Sequence, residues 1–507
     1  MLYDNCRLPI RILCFAFVLI AIGYLIQNDN VNIFYTISNS YIRLLGQVSY
    51  RIGHFLVINM PLIFLVNLVA KRANSGMPVL LAIIGYVTFL VMTMFFNDHS
   101  LVSQAYTNAM GLSYTTNADT YYPLQTGMIG SFAVALITRY SYLQSRKKSI
   151  YSFFGFLNED TRAILYELVL CVILGFLTCL IWPFFITIIS DLVTWIAEDI
   201  SDPYRLSAYG LLDRGLSILG LNNLIRYPFW YTASGGTYAA ISGTTVLGDV
   251  SIWSYMPEAM LTYSGAGRFI TPYYVINMFA LPGMYLGMYF TISDKKERHR
   301  HLLFLIGAIF MSVLCGNPLP LELLLLVTSP LLLIAHLVLS ASLFGILFLN
   351  GAFMGFSYSS SVISAMPGSF VDYIINIRIP EYFHASLVIL MVGIIFFIIY
   401  LLMTIIYYRY LAFDLVGSDR SKIIISRLFD AVGGTDNIKC VSNSLFNVTI
   451  DLEDTEKISY DEIKKVGAKN ITETKSSLIL DFGSASAVLK RNILKMLKKM
   501  RRGSENY

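Results

Sequence analysis

SLVILMVGIIFFIIYLLMTIIYYRYLAFDLVGSDRSK, Ser386 to Lys422, decides the class of fold. From Ser386 to Tyr408 there is no charged side chain, and about 20 helical residues suffice to cross a hydrocarbon core of about 30 Å. Arg409 ends the run, and Asp414, Asp419, Arg420 and Lys422 follow within a few residues. Two environments therefore meet inside one stretch, lipid before Arg409 and water after it. Everything upstream resembles the first half of this stretch, and everything downstream the second.

Upstream, apolar runs recur near residues 10–26, 53–70, 78–96, 126–141, 163–180, 181–196, 207–230, 272–292, 302–316 and 323–350, with 386–411 the last. The pattern predicts a polytopic α-helical membrane domain of about ten transmembrane helices, some of them re-entrant or interfacial. Composition agrees: the 507 residues are 56% hydrophobic and only 14% charged, too apolar for a soluble globular protein. The first run has Arg7 and Arg11 on its flanks and the polar QNDNVN after it, where a cleaved signal would end in small residues; it reads as a retained helix. Lys71 and Arg72, Arg146 with Lys147 and Lys148, the cluster Lys295 to His301, and Arg409 lie just outside apolar runs, so these loops are expected in the cytoplasm. Segments 97–125 and 231–271, poor in Lys and Arg, are expected on the opposite side or against a cavity.

Net charge is +5, accounted for by those loops and the basic end LKRNILKMLKKMRR, which gives no support to a nucleic-acid partner. That basic amphipathic end reads as a solvated helix face, with contact to anionic lipid as the alternative. Cys14, Cys171, Cys179 and Cys315 sit in apolar runs without CxxC spacing, so neither disulfides nor a metal site is expected. The Gly-rich pieces SGGTYAAISGTTVLG and SGAGRF read as flexible loops.

Downstream, IIISRLFDAVGG reads as an amphipathic helix, FNVTIDL as a strand, YDEIKKVG as a short helix, SSLILDFG as a second strand and SASAVLKRNILKMLKKM as a final helix. The expected organisation is a membrane domain over 1–411, a linker over 412–422 and a small α+β domain over 423–507.

Short motifs add chemistry. NMPLIF (Asn59 to Phe64), IWPFF (Ile181 to Phe185), GLNNLIRYPF (Gly220 to Phe229), GNPLPLE (Gly316 to Glu322) followed by SPLLLIAH, and GGTDNI (Gly433 to Ile438) occur in that order. Together they resemble a glucose-type membrane permease of the bacterial phosphoenolpyruvate sugar phosphotransferase system (PTS), with a IIC membrane domain fused to a C-terminal IIB domain. The resemblance implies that IIC binds sugar within the membrane and that IIB, loaded by a IIA protein, phosphorylates it through a phosphocysteine. It implies no cofactor, a bacterial inner membrane with the IIB-like domain in the cytoplasm, and a homodimer.

At each site the resemblance implies, this sequence departs from the pattern. After Asn437-Ile438 the family has Cys-x-x-Arg-x-Arg; here the cysteine position is Ser444 and the arginine positions are Asn447 and Thr449. A serine hydroxyl without a strong base does not replace a thiolate, and the phosphate-stabilising guanidinium groups are missing as well. Cys440, upstream and with no neighbouring arginine, reads as a small structural residue. The family's Gly-Leu-His-His is Gly220-Leu221-Asn222-Asn223, and its Gly-x-Thr-Glu-Pro-x-Glu is Gly316 to Glu322 with Leu319 at the first glutamate position. Loss of that acceptor weakens a sugar site by about 1.5–3 kcal/mol per charged hydrogen bond.

Asn222, Asn223, Asn317 and Glu322 are therefore the expected ligand contacts, and no residue is a confident catalyst. Glu167 and Asp191, charged within apolar runs, are candidates either for a pathway or for a helix end. Asp213 and Arg214 are expected to pair with each other, and His336 and His384 to be satisfied core residues. Three functions fit: a non-catalytic sensor, regulator or scaffold; a transporter of a sugar-like solute that works without phosphorylation; and an active sugar phosphotransferase with a diverged site.

Overall fold

The computed structural model describes residues 2–27, 39–71, 73, 75–96, 101–116, 119–146, 158–239, 243–259, 265–293, 295–356, 362, 365–411, 418–468, 470–474 and 476–504. The membrane part contains α1 (Leu2–Gln27), α2 (Ser40–Ile58), α3 (Met60–Ala70), α4 (Met77–Phe95), α5 (Gly127–Ser145), α6 (Glu159–Ala197), α7 (Pro203–Leu219) and α8 (Asn223–Tyr231). After these come α9 (Asp249–Ala259), α10 (Thr271–Val275), α11 (Leu281–Thr291), α12 (Lys295–Cys315), α13 (Leu319–Thr328), α14 (Pro330–Leu349), α15 (Phe370–Asn376) and α16 (Phe383–Ile406). Two hairpins interrupt them, β1 (Tyr114–Thr115) with β2 (Thr120–Tyr121), and β3 (Thr237–Ala239) with β4 (Thr245–Leu247).

Among the described residues five helices are long and apolar enough to cross a membrane, or six when the bent pair α2–α3 counts as one span. That pair turns by 60° at NMPLIF, where Pro61 has no N–H to continue the ladder and Asn59 bonds the Phe55 carbonyl through its amide and Met110 N–H through its oxygen. Residues 163–196, read as two spans, form the single helix α6, 39 residues long and about 58 Å at 1.5 Å per residue. Pro183 sits inside it without ending it, since a proline removes one hydrogen bond while the surrounding apolar faces still hold both halves. Region 207–230 divides at Gly220 (φ 74°), and 323–350 divides at Ser329-Pro330. Part of SGGTYAAISGTTVLG, expected to be a loop, pairs as β3–β4, Thr237 against Leu247. His384 is exposed at the start of α16 rather than buried.

Helix contacts are made by small residues, as lipid requires close backbone approach in place of a hydrophobic drive. A Cβ on Gly283 would stand 2.4 Å from the Phe397 carbonyl oxygen, which brings α11 against α16; Gly23, Gly46 and Gly53 do the same for α1 and α2. Outward, Phe15, Ile181, Phe184, Ile334 and Ile395 are exposed, an apolar surface that suits lipid and not water.

The C-terminal part contains α17 (Ser418–Ala431), β5 (Ile438–Asn443), β6 (Asn447–Leu452), α18 (Tyr460–Lys465), β7 (Ile471–Thr474), β8 (Ser477–Asp481) and α19 (Ser486–Ser504). The expected linker 412–422 overlaps α17 from Ser418, and residues 412–417 of it lie outside the described residues. Its sheet is antiparallel in the order β5-β6-β8-β7, four strands where two were expected. β6 buries Val448, Ile450 and Leu452, and α19 lays Val488, Leu489, Ile493 and Leu497 into the core. β5 escaped the periodicity because a register shift between Ile438 and Cys440 breaks its alternation, and β7 because its ITET is mostly exposed.

The two parts touch through hydrogen bonds. Ser293, just past α11, donates Oγ–H to Asn443 Oδ1 (2.7 Å) and its N–H to the Asn443 carbonyl (3.1 Å), while Asn443 Nδ2 donates to the Thr291 carbonyl (3.0 Å). Asn443 N–H returns a bond to Ser293 Oγ (3.0 Å), and the Arg491 guanidinium lies 4.7 Å from the Tyr410 ring centroid. Asn443→Ala removes both side-chain bonds across the contact, along with the Nδ2 bond to the Ser444 carbonyl, and leaves the buried Thr291 carbonyl unmatched, so the contact is expected to lose about 1–3 kcal/mol. Faster hydrogen exchange at residues 291–293 and 438–443, with the rest of the sheet unchanged, is the expected readout.

Candidate functional site

α7 and α8 form the back wall of the site. Asp202 accepts from Tyr204 N–H, Pro203 opens the helix, and Gly220 in the left-handed region closes it with two backbone bonds. The chain then re-enters helix at Asn223, so the turn Gly220–Asn222 is exposed to whatever the two helices enclose. Asn222 stands at the cap position of α8 without capping it; its side chain has no hydrogen-bond partner among the described residues.

Behind this turn lies an extended buried ionic network. Asp213 accepts from Arg226 Nε (2.5 Å) and Nη2 (3.3 Å), from Arg214 Nε (3.1 Å) and from Tyr273 O–H (2.5 Å). Arg214 Nη1 donates to Glu322 Oε1 (3.1 Å), and both arginines reach Ser217 Oγ (3.2 and 3.3 Å). Glu322 Oε1 also meets His336 Nε2 (3.1 Å), whose Nδ1 meets Tyr400 O–H (3.0 Å). Arg214 is 1% exposed, and Asp213 and Glu322 not at all. In a low-dielectric interior such charges persist because each is matched by an opposite charge and by hydrogen bonds. The Asp213–Arg214 pair and the buried, bonded His336 stand as the sequence suggested.

In front of the network is a cavity of about 90 Å³, room for several waters or one small ligand. Its polar lining includes Arg214, Ser217, Asn222, Arg226, Asn317 and Gln125, and Leu319 lines it as well. Gly316 (φ 58°) and Asn317, whose Oδ1 accepts from Leu319 N–H (2.9 Å), form the turn that starts α13 and sets Leu319 against the cavity. Gln125 donates Nε2–H to the Gly220 carbonyl (3.1 Å), leaving its buried Oε1 without a partner among the described residues.

The four expected contacts therefore separate. Asn222 and Asn317 line the cavity; Asn223 and Glu322 do not. Glu322 lies behind, holding Arg214 and His336. Glu167 is buried between helices, accepting from Thr138 O–H (2.8 Å), and Asp191 is exposed on α6; neither lines the cavity. Arg226, Gln125 and Tyr273 were not singled out from the sequence. Arg226 was legible: a cation four residues beyond Asn222 in an apolar run shares its helix face and marks a site by default. Gln125 and Tyr273 carry no such signal.

In the C-terminal sheet, Ser444 opens the turn from β5 to β6. Its Oγ accepts from Phe446 N–H (3.3 Å) and Asn447 N–H (3.0 Å), its own N–H donates to the Asn447 carbonyl (2.8 Å), and it is 2% exposed. The hydroxyl closes a tight turn. Cys440 is exposed on β5.

A bundle of apolar helices around a small, mostly apolar cavity with a few convergent polar side chains, and charge buried behind it, is the arrangement of a membrane protein with a small-molecule site. The family described as "Phosphotransferase system, EIIC" has a model that matches residues 5–341, and the chain belongs to this family of sugar-permease components. It is thus a multi-pass membrane component of sugar transport, a setting that implies a sugar, a membrane and phosphotransferase partner proteins.

Proposed function

We propose that this chain is a non-catalytic descendant of a fused IIC-IIB permease, a sensor or regulator that binds a sugar-like ligand in the membrane cavity. The membrane unit is the IIC-like one, of about ten spans when re-entrant and shorter helices are counted, and the α+β unit is IIB-like. The observation that carries the reading is Ser444: at the phosphocysteine position stands a 2% exposed hydroxyl engaged in its own turn, with Asn447 and Thr449 where arginines would stabilise phosphate. Asn443 beside it is bonded to the end of α11, so the IIB-like unit packs on the membrane unit next to the position where the cysteine would stand.

Ligand contact falls to Asn222 and Asn317, while Glu322 acts by holding Arg214. A cytoplasmic IIB-like unit is supported by its attachment at Ser293, next to the basic cluster from Lys295, which the positive-inside bias assigns to the cytoplasm. A bacterial inner membrane and a homodimer complete the proposal.

The test is phosphotransfer. Incubated with a phosphorylated IIA donor and a panel of sugars, the purified chain is expected to stay unlabelled and the sugars unphosphorylated. Ser444→Cys is expected to stay unlabelled too, since the thiol would still lack both arginines and access. Label at Ser444 or Cys440 of the unaltered protein would overturn the proposal; uptake of a sugar into proteoliposomes without phosphorylation would favour the transporter reading instead.

A further inference from the structure

The cavity's two cations stand in its wall while the anions that balance them do not. Arg214 and Arg226 are lining residues; Asp213 and Glu322 lie behind them, and among the described residues no Asp or Glu belongs to the lining. The network of two arginines and two carboxylates has no net formal charge, yet the face it turns to the cavity is positive, because potential falls with distance and the guanidinium groups are nearer.

Donor arithmetic points the same way. A guanidinium carries five N–H groups. Arg226 spends Nε on Asp213 and Nη2 on Asp213 and Ser217, leaving Nη1 without an acceptor among the described residues. Arg214 has given Nε, Nη1 and Nη2 each a partner. The same lining holds Asn222 and Gln125; among the described residues both amide functions of Asn222 are unmatched and the buried Gln125 Oε1 has no partner. Leu319, at the start of α13, offers no acceptor and keeps that side of the cavity uncharged.

Resting on the ligand-binding part of the reading above, we infer that the cavity takes a sugar acid, a polyhydroxylated molecule with one carboxylate. The carboxylate accepts from Arg226 Nη1 and the hydroxyls are read by the amides of Asn222, Asn317 and Gln125. A neutral hexose offers the free Arg226 donor only an uncharged hydroxyl oxygen, a weaker partner than a carboxylate, whereas a phosphate presents three acceptor oxygens to a wall with one terminal nitrogen to spare.

Detergent-purified full chain is titrated with D-glucuronate, D-galacturonate, D-glucose, D-galactose and glucose 6-phosphate, read by thermal shift and calorimetry. One or both uronates are expected to bind about tenfold or more tightly than the matching neutral sugar, with affinity falling as salt rises. Leu319→Glu, which places a carboxylate in the lining that holds the two arginines, is expected to abolish uronate binding and improve that of the neutral sugar. Arg226→Gln is expected to abolish uronate binding, and the thermal shift of the ligand-free variant reports whether it folds. Equal or tighter binding of the neutral sugars, preference for glucose 6-phosphate, unaltered uronate binding in Leu319→Glu, or no binding by either uronate would each overturn the inference. The same samples run with phosphorylated IIA donor report separately on catalysis, so an inert chain that binds glucose sinks the ligand class and leaves the non-catalytic reading standing.

Discussion

Arg214→Met is expected to destabilise the membrane domain by about 3–5 kcal/mol, the cost of leaving buried carboxylates without their cation. Among the described residues Glu322 would keep only His336, and Asp213 only Arg226 and Tyr273, and both carboxylates are fully buried. Methionine conserves much of the volume, so a packing defect contributes little to the loss. Thermal unfolding of the detergent-solubilised protein, with chromatographic monodispersity alongside, measures it. The double variant Arg214→Met with Glu322→Leu is expected to recover part of the loss, because removing both partners also removes the unpaired charge. A double variant as unstable as the sum of its singles would mean that the Arg214–Glu322 contact carries no coupling.

Gly368→Ala is the second large effect. Gly368 has φ 73°, and a Cβ there would stand 2.5 Å from the Tyr273 carbonyl carbon and 2.6 Å from Tyr274 N. Left-handed geometry costs a residue with a Cβ about 1–2 kcal/mol, and overpacking against backbone that cannot swing aside about 1–3 kcal/mol more. Displacing Tyr273 also disturbs its bond to Asp213, so ligand binding is expected to weaken together with stability. Gly215→Ala is the control. Nothing lies within 4 Å of its Cβ position inside α7, and a glycine in mid-helix costs about 0.5–1 kcal/mol relative to alanine, so this variant should be neutral or slightly more stable. Equal unfolding temperatures for the two alanine variants would remove the case for a backbone contact at Gly368.

The sequence by itself determined that the chain is a helical membrane protein with an α+β unit after it, since apolar length and the change at Arg409 follow from composition alone. Order and wording of short motifs were enough for the family, and absence of a thiol at Ser444 needed no coordinates. Helix breaks were less legible. The 60° bend at Asn59–Met60, the division at Gly220 and the continuity of α6 through Pro183 depend on neighbours that support or vacate a hydrogen bond, which a hydropathy run does not record. β5 and β7 were hidden for a similar reason, one by a bulge and the other by exposure.

Within the site, the residue types were visible and their arrangement was not. Asn222, Asn317 and Glu322 look alike as polar residues in apolar surroundings, yet two line the cavity and the third lies behind, tied to Arg214 across 108 positions of sequence. Which of two neighbouring amides faces a cavity, and which side of an ion pair a ligand meets, depends on how α7, α8 and α13 pack. Tertiary structure alone decides that, because charge is a property of a residue, whereas the field it presents depends on what stands in front of it and what stands behind.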